Sequence, residues 1–140
     1  MLPLMTNREK LLVMQILGSL LVPCFFGPKM EFALDVILRA MFSNTLNLGL
    51  TSEAAQCFGC LSIRLANQGE IQLAQRCGKL SRTLSGVDRA VQVRALVGST
   101  VYFQWSESLS SLTDRVLSIY TLGMKVGDVS CAFFVSHIVD

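Results

Sequence analysis

The residues of this sequence that most resemble a chemical motif are two cysteines separated by two positions, Cys57 and Cys60. Such a pair performs redox chemistry when it lies at a helix N-terminus, where the pKa of a thiol is lowered. Here the pair lies inside a predicted helix, about a turn beyond its cap. A structural zinc site needs further ligands at matched spacing, and only Cys77 and His137 are of the right type. We therefore interpret the pair as core packing, with metal or redox chemistry as the alternative.

His137 is the only histidine of the chain. A catalytic base needs a nucleophile and an orienting partner close to it. Ser136 is its neighbour in the sequence, but adjacent residues on a helix face different directions. We predict that the chain is not an enzyme, and that it has no catalytic residue, no cofactor and no metal site.

A set of basic side chains in the middle of the sequence forms the one candidate binding surface. Its members are Arg64, Arg76, Lys79, Arg82, Arg89 and Arg94. Within that span only Glu70 and Asp88 are acidic. No aromatic residues are interleaved with these cations, so a protein partner is favoured over nucleic acid. The alternative is that they only form the solvated faces of helices.

The composition limits the class of protein. Of the 140 residues, 51% are hydrophobic and 16% are charged, which excludes a disordered chain. The five cysteines are an odd number and do not form the pattern of a secreted disulfide framework, so we expect a cytoplasmic protein. Residues 11–26 carry no charge, but this stretch is shorter than the roughly 20 residues that span a bilayer. We favour a buried core helix here, with a membrane anchor or signal segment as the alternative.

The periodicity of apolar residues predicts an all-α chain of about seven helices. We expect the first helix to be capped by Thr6 or Asn7 and to stop at Val22, because Pro23 follows. The loop would then be residues 24–28. The later helices are predicted from about 29 to 48, from a cap at 51 or 52 to 66, from 70 to 84, from a cap at 88 to about 105, from 106 or 107 to 126, and from about 129 onward. The residues of the fourth helix that are expected to face inward are Ile71, Leu73, Ala74, Cys77, Leu80 and Leu84.

Three glycines mark a repeat. Gly49, Gly86 and Gly127 are 37 and 41 residues apart, and each is followed by a polar cap and an alanine-bearing helix. A unit of about 40 residues with two helices is typical of an α-solenoid and exceeds the standard tetratricopeptide unit. We divide the chain into a leading helix pair (6–49), a repeat (50–86), a second repeat (87–127) and the start of a third (128–140). Small residues such as Ala55, Gly59 and Gly98 are expected where helices cross.

The sequence resembles the helical-repeat region of very large bacterial and algal signalling proteins. Residues 5–14, 20–23, 32–34, 45–55 and 69–80 carry the resemblance. In that family a kinase-like domain and an AAA-type predicted ATPase precede the repeats, and sensor domains and a histidine kinase often follow. The resemblance implies a tetratricopeptide-like superhelix that is a fragment of a longer chain.

These observations predict a non-catalytic scaffold that makes protein–protein or intrachain regulatory contacts within a large signal-transduction ATPase or kinase. Its expected partners are proteins or other domains of the same parent chain, without nucleic acid or membrane. One alternative is a small membrane-associated helical protein anchored by residues 11–26. Another is the repeat module of an ATPase-type transcription regulator.

Overall fold

The computed structural model describes residues 2–26, 30–86, 89–103 and 108–137. Within these ranges the chain forms seven helices, which confirms the predicted all-α class. They are α1 (Arg8–Phe26), α2 (Met30–Leu48), α3 (Ser52–Asn67), α4 (Ile71–Leu84), α5 (Arg89–Phe103), α6 (Leu109–Val126) and α7 (Val129–Ser136). The only β pairing among the described residues is a single bridge between Leu4 and Leu50.

The prediction that Pro23 ends the first helix is wrong. Helix α1 continues through Pro23 to Phe26, so residues 24–26 of the predicted loop are helical. Proline removes one backbone donor and crowds the carbonyl four residues earlier, which breaks an isolated helix. In this chain only the final turn follows the proline, and packing on both sides compensates for the lost bond. Leu21 is completely buried in an apolar cluster formed by α1, α2 and α3, and Cys24 packs against the same cluster.

Helix ends follow local side-chain chemistry where the structure describes them. The hydroxyl of Thr51 accepts the backbone N–H of Ala54 and caps α3, as predicted. Gly127 ends α6 with a φ of +78°, a left-handed conformation that favours glycine. Helix α6 is described from Leu109 onward, and the hydroxyl of Ser108 accepts the backbone N–H of Ser111 as its cap. The predicted cap at Asp88 lies outside the described residues, as do the predicted helix start at positions 106 and 107 and the end of the fifth helix at position 105.

The helices contact one another in an alternating pattern. Consecutive helices pack together along the whole series. Odd-numbered helices also pack on the next odd-numbered helix, so that α1, α3, α5 and α7 form a continuous row. Within the described residues, each even-numbered helix contacts only its two neighbours in the chain. Helices α3 and α5 are the most connected: α3 contacts α1, α2, α4 and α5, and α5 contacts α3, α4, α6 and α7.

Two apolar clusters lie along this row. The first is formed by α1, α2 and α3, with Met14, Leu21 and Met41 completely buried. The second is formed by α5, α6 and α7, around Val93, Ile119 and Val135. The chain therefore buries its apolar side chains between helix pairs and not in one central core.

Small residues join the two clusters at the crossing of α3 and α5, as expected. A Cβ atom on Gly98 would lie only 2.9 Å from the carbonyl carbon of Gly59, so the two backbones are in direct contact. Ser81 of α4 is completely buried beside this crossing. Its hydroxyl donates to the carbonyl of Ala55 at 2.6 Å and lies 3.4 Å from the carbonyl of Ala95. Helices α3, α4 and α5 are thus held at close range by one hydroxyl and two glycines.

Candidate functional site

Two of the six candidate cations pair with carboxylates inside the fold. Arg64 of α3 makes a two-point contact with Asp35 of α2, with N–O distances of 2.8 and 2.9 Å. This is the planar geometry in which arginine binds a carboxylate most specifically. The two residues are 29 positions apart and the pair joins the consecutive helices α2 and α3, so Arg64 has an internal partner.

Arg94 of α5 has the same kind of role. Its Nε atom lies 2.8 Å from Oδ2 of Asp128, and Oδ1 of Asp128 accepts the backbone N–H of Cys131 at 3.2 Å. Asp128 therefore caps α7 and ties it to α5 at the same time. Burial raises the pKa of Asp128, but the hydrogen bonds from Arg94 and Cys131 and the charge of Arg94 outweigh it, so the pKa lies below its ordinary value.

The remaining four cations are exposed on α4 and at the start of α5. They are Arg76, Lys79, Arg82 and Arg89. Helix α4 contains no acidic residue between Ile71 and Leu84. Arg76 and Lys79 lie three residues apart on this helix, which places their side chains side by side. We retain these four cations as the candidate surface.

The inward face predicted for α4 is only partly correct. Ala74 and Cys77 are buried as predicted, but Ile71, Leu73 and Leu80 were also expected to face inward and are 45%, 44% and 40% exposed. The face of α4 that packs on α3 and α5 consists of small residues, namely Ala74, Cys77, Gly78 and Ser81. Because these small residues bring the helices together, the bulky side chains are displaced to the edges of the contact.

A shallow depression runs along this exposed part of α4. Its volume is about 500 Å³, and it is lined by Leu73, Arg76, Cys77, Lys79, Leu80 and Thr83. Apolar and cationic side chains therefore share one surface, which we name the α4 surface. The sequence predicted that its cations form a surface, but it placed Leu73 and Leu80 on the buried side of the helix.

A second depression on α6 provides a comparison. Its volume is about 450 Å³, and it is lined by Asp114, Leu117, Ser118, Thr121, Leu122 and Lys125. This surface has one acidic and one basic residue, whereas the α4 surface has cations alone. The two depressions are similar in size and differ in charge.

The cysteine pair lies in the core. Cys57 and Cys60 are both buried in α3, and burial raises the pKa of each thiol, that of Cys60 to about 12. The neighbouring thiol of Cys60 further raises the pKa of Cys57. Since the thiolate is the nucleophile and the metal ligand, a thiol that stays protonated is inert at neutral pH. In the described part of the chain, no three His, Cys, Asp or Glu side chains are grouped so that they could hold a metal ion.

His137 is exposed at the C-terminal end of α7. The hydroxyl of its neighbour Ser136 donates to the backbone carbonyl of Phe133 at 2.7 Å. The geometry therefore gives no support to a serine–histidine pair.

The apolar stretch 11–26 forms most of α1 and has two faces. Met14 and Leu21 are completely buried against α2 and α3, while Leu12, Ile16 and Leu20 are 58%, 52% and 45% exposed. Among the described residues, no helix has both the length and the apolar character needed to cross a bilayer.

Comparison with known proteins gave no match: no family model fits the chain, and searches of curated proteins and of solved structures found nothing similar.

Among the described residues, the α4 surface is the feature that best combines exposure, charge and shape.

Proposed function

We propose that this chain is a non-catalytic helical-repeat scaffold, a tetratricopeptide-like α-solenoid that mediates protein–protein or intrachain regulatory contacts in a large signal-transduction ATPase or kinase. Its mechanism is mechanical. A partner that binds one face of the helix row biases the arrangement of modules attached to it. The proposal includes the cytoplasm as its location, for which the free thiol state of the five cysteines is the support.

The alternating contact pattern is the observation that carries this proposal. In a solenoid of helical hairpins, each unit packs on the next unit and contacts are confined to neighbours. Within the described residues, α1, α3, α5 and α7 contact one another in series and the even-numbered helices contact only their chain neighbours, which supports this interpretation. Gly49, Gly86 and Gly127 also occur once per two-helix hairpin along the sequence.

The exposed cations supply the second support. A scaffold needs a surface whose side chains are not already engaged by the fold. Arg76 and Lys79 have no ion-pair partner among the described residues, in contrast with Arg64 and Arg94. The α4 surface is consequently open to a partner.

Methyl nuclear magnetic resonance tests the arrangement of helices. We expect close methyl contacts between Val93 of α5 and Val135 of α7, which belong to one apolar cluster. No contact is expected between Leu38 of α2 and Leu73 of α4. Contacts between even-numbered helices would contradict the solenoid.

Two further measurements test the functional part of the proposal. The purified chain with magnesium and ATP should release phosphate no faster than buffer, and turnover by the chain would contradict a scaffold. The reading frame around this segment should encode an ATPase domain before it and a sensor kinase after it. A DNA-binding domain after it would instead favour the transcription-regulator alternative.

A further inference from the structure

The α4 surface has a regular order of apolar and cationic side chains. Leu73, Arg76, Leu80 and Thr83 follow at steps of three and four residues, so they lie on one face of the helix. The two leucines are seven residues apart, which corresponds to about 10 Å along the helix axis. Lys79 stands beside Arg76 on this face. The face is therefore a strip with two apolar positions and two positive charges between and beside them.

The charges of this strip are not neutralised by its own helix. Helix α4 has no carboxylate, and neither Arg76 nor Lys79 forms an ion pair with a described residue. Elsewhere the fold does pair arginines with carboxylates, namely Arg64 with Asp35 and Arg94 with Asp128. A partner with carboxylates would thus complement the strip in charge, and a partner with leucine-sized apolar groups would cover Leu73 and Leu80.

We infer that the α4 surface binds an acidic amphipathic helix of a partner protein, an inference that rests on the scaffold function proposed above. The partner helix lies along α4 in the manner of a helix in a groove, with apolar residues seven positions apart against Leu73 and Leu80. Its glutamate or aspartate side chains flank that apolar stripe and pair with Arg76 and Lys79. Nucleic acid is the less fitting occupant, because the depression is lined by leucines and has no aromatic side chain on which a base would stack.

The inference is tested with a synthetic 18-residue peptide as the probe. The peptide has leucines at two positions seven residues apart, glutamates flanking them and alanine elsewhere. Two control peptides have lysine in place of glutamate, or the same residues in scrambled order. Binding to the intact chain is measured by fluorescence anisotropy at low and at physiological salt, since exposed charge pairs weaken as salt rises.

We expect the acidic peptide to bind and the two control peptides to bind at least tenfold more weakly. The double variant Arg76→Glu with Lys79→Glu should weaken binding of the acidic peptide by about tenfold or more, because attraction becomes repulsion at two positions. The same variant should now bind the lysine peptide, and this gain shows that its surface is still folded. The double variant Leu73→Gln with Leu80→Gln should weaken the acidic peptide by about tenfold at unchanged charge.

Matched changes on α6 provide the control variants. Leu117→Gln and Lys125→Glu alter an exposed leucine and an exposed lysine in the other depression. They should leave binding of the acidic peptide unchanged within twofold.

Three results would overturn the inference. The first is failure of the acidic peptide to bind while the methyl contacts of the helix row are intact, and this result leaves the scaffold proposal standing. The second is peptide binding that is insensitive to both α4 double variants. The third is tighter binding of a single-stranded oligonucleotide, or of a vesicle of anionic lipid, than of the peptide, if that binding is also unaffected by the leucine variants. The surface would then be a general site for polyanions. Turnover of ATP by the chain would instead refute the scaffold function.

Discussion

Substitution of Gly98 by alanine is the sharpest test of how the two halves of the helix row are joined. The new methyl group would lie 2.9 Å from the carbonyl carbon of Gly59, 3.1 Å from its Cα and 3.3 Å from the backbone nitrogen of Cys60. Carbon atoms in contact are normally about 3.5–4.0 Å apart. All three neighbours belong to the backbone, so no side chain can rotate away, and α3 and α5 must separate.

One favourable and two unfavourable free energies set the size of the effect. Alanine favours a helix over glycine by about 1 kcal/mol. Overpacking of a close contact costs about 1–3 kcal/mol, and occasionally more. The hydroxyl of Ser81 lies between the carbonyl of Ala55 in α3, at 2.6 Å, and that of Ala95 in α5, at 3.4 Å. Separation of α3 and α5 therefore weakens at least one of these contacts, and a hydrogen bond is worth about 1 kcal/mol. We expect Gly98→Ala to lower the free energy of unfolding by about 2 kcal/mol.

Urea unfolding followed by far-ultraviolet circular dichroism measures this difference. Gly86→Ala is the control, because a Cβ there would meet none of the described atoms within 4 Å. Surface changes of that kind alter stability by about 0.5 kcal/mol or less. If Gly98→Ala proved as stable as the native chain or more so, the direct contact between the α3 and α5 backbones would be refuted.

Three further predictions concern single side chains. Asp128→Ala should cost about 1–2 kcal/mol through loss of the α7 cap and of the Arg94 pair, whereas Asp128→Asn keeps the cap and should cost less in the same urea experiment. The pKa of Asp128 is lower in the folded state than in the unfolded state. Its contribution to the free energy of unfolding is therefore complete above the unfolded pKa of about 3.9 and is lost as the pH falls through the folded pKa. Asp128→Asn should accordingly reduce the destabilisation that the native chain shows between neutral and acidic pH. Cys57 and Cys60 should resist iodoacetamide in the native chain and react after unfolding, as read by intact mass; rapid native labelling would contradict their burial. Gly127→Ala should cost about 1 kcal/mol because its φ of +78° is strained for alanine, and an unchanged unfolding midpoint would contradict that conformation.

Sequence reasoning was most successful where structure depends on neighbouring residues. The cap at Thr51 and the end of α6 at Gly127 could be predicted because each depends on the chemistry of one residue and its immediate neighbours. The prediction failed at Pro23, where the intrinsic tendency of proline to end a helix is opposed by packing of Leu21 and Cys24 against the first core. That packing involves α2 and α3, so local sequence carries no sign of it.

The candidate surface likewise has features that local sequence predicts and features that depend on how the helices pack. Its cations could be selected from the sequence, but their separation into two groups could not. Arg64 is 29 positions from Asp35, and Arg94 is 34 positions from Asp128. Spacings of this size are set by which helices become neighbours. Only the fold therefore distinguishes Arg64 and Arg94, which pair with carboxylates, from the exposed arginines.

The same close packing explains both the stability of the middle helices and the character of the α4 surface. Ala74, Gly78 and Ser81 let α4 approach α3 and α5 closely. A contact made by small residues leaves no space for leucine, so Leu73 and Leu80 stay at its edges, next to Arg76 and Lys79. Apart from Cys77, which belongs to both sets, the residues that hold α4 in place are consequently distinct from those that a partner would touch. Substitutions in the outer set are expected to change binding without a large change in stability, which makes the two roles of this helix separable by experiment.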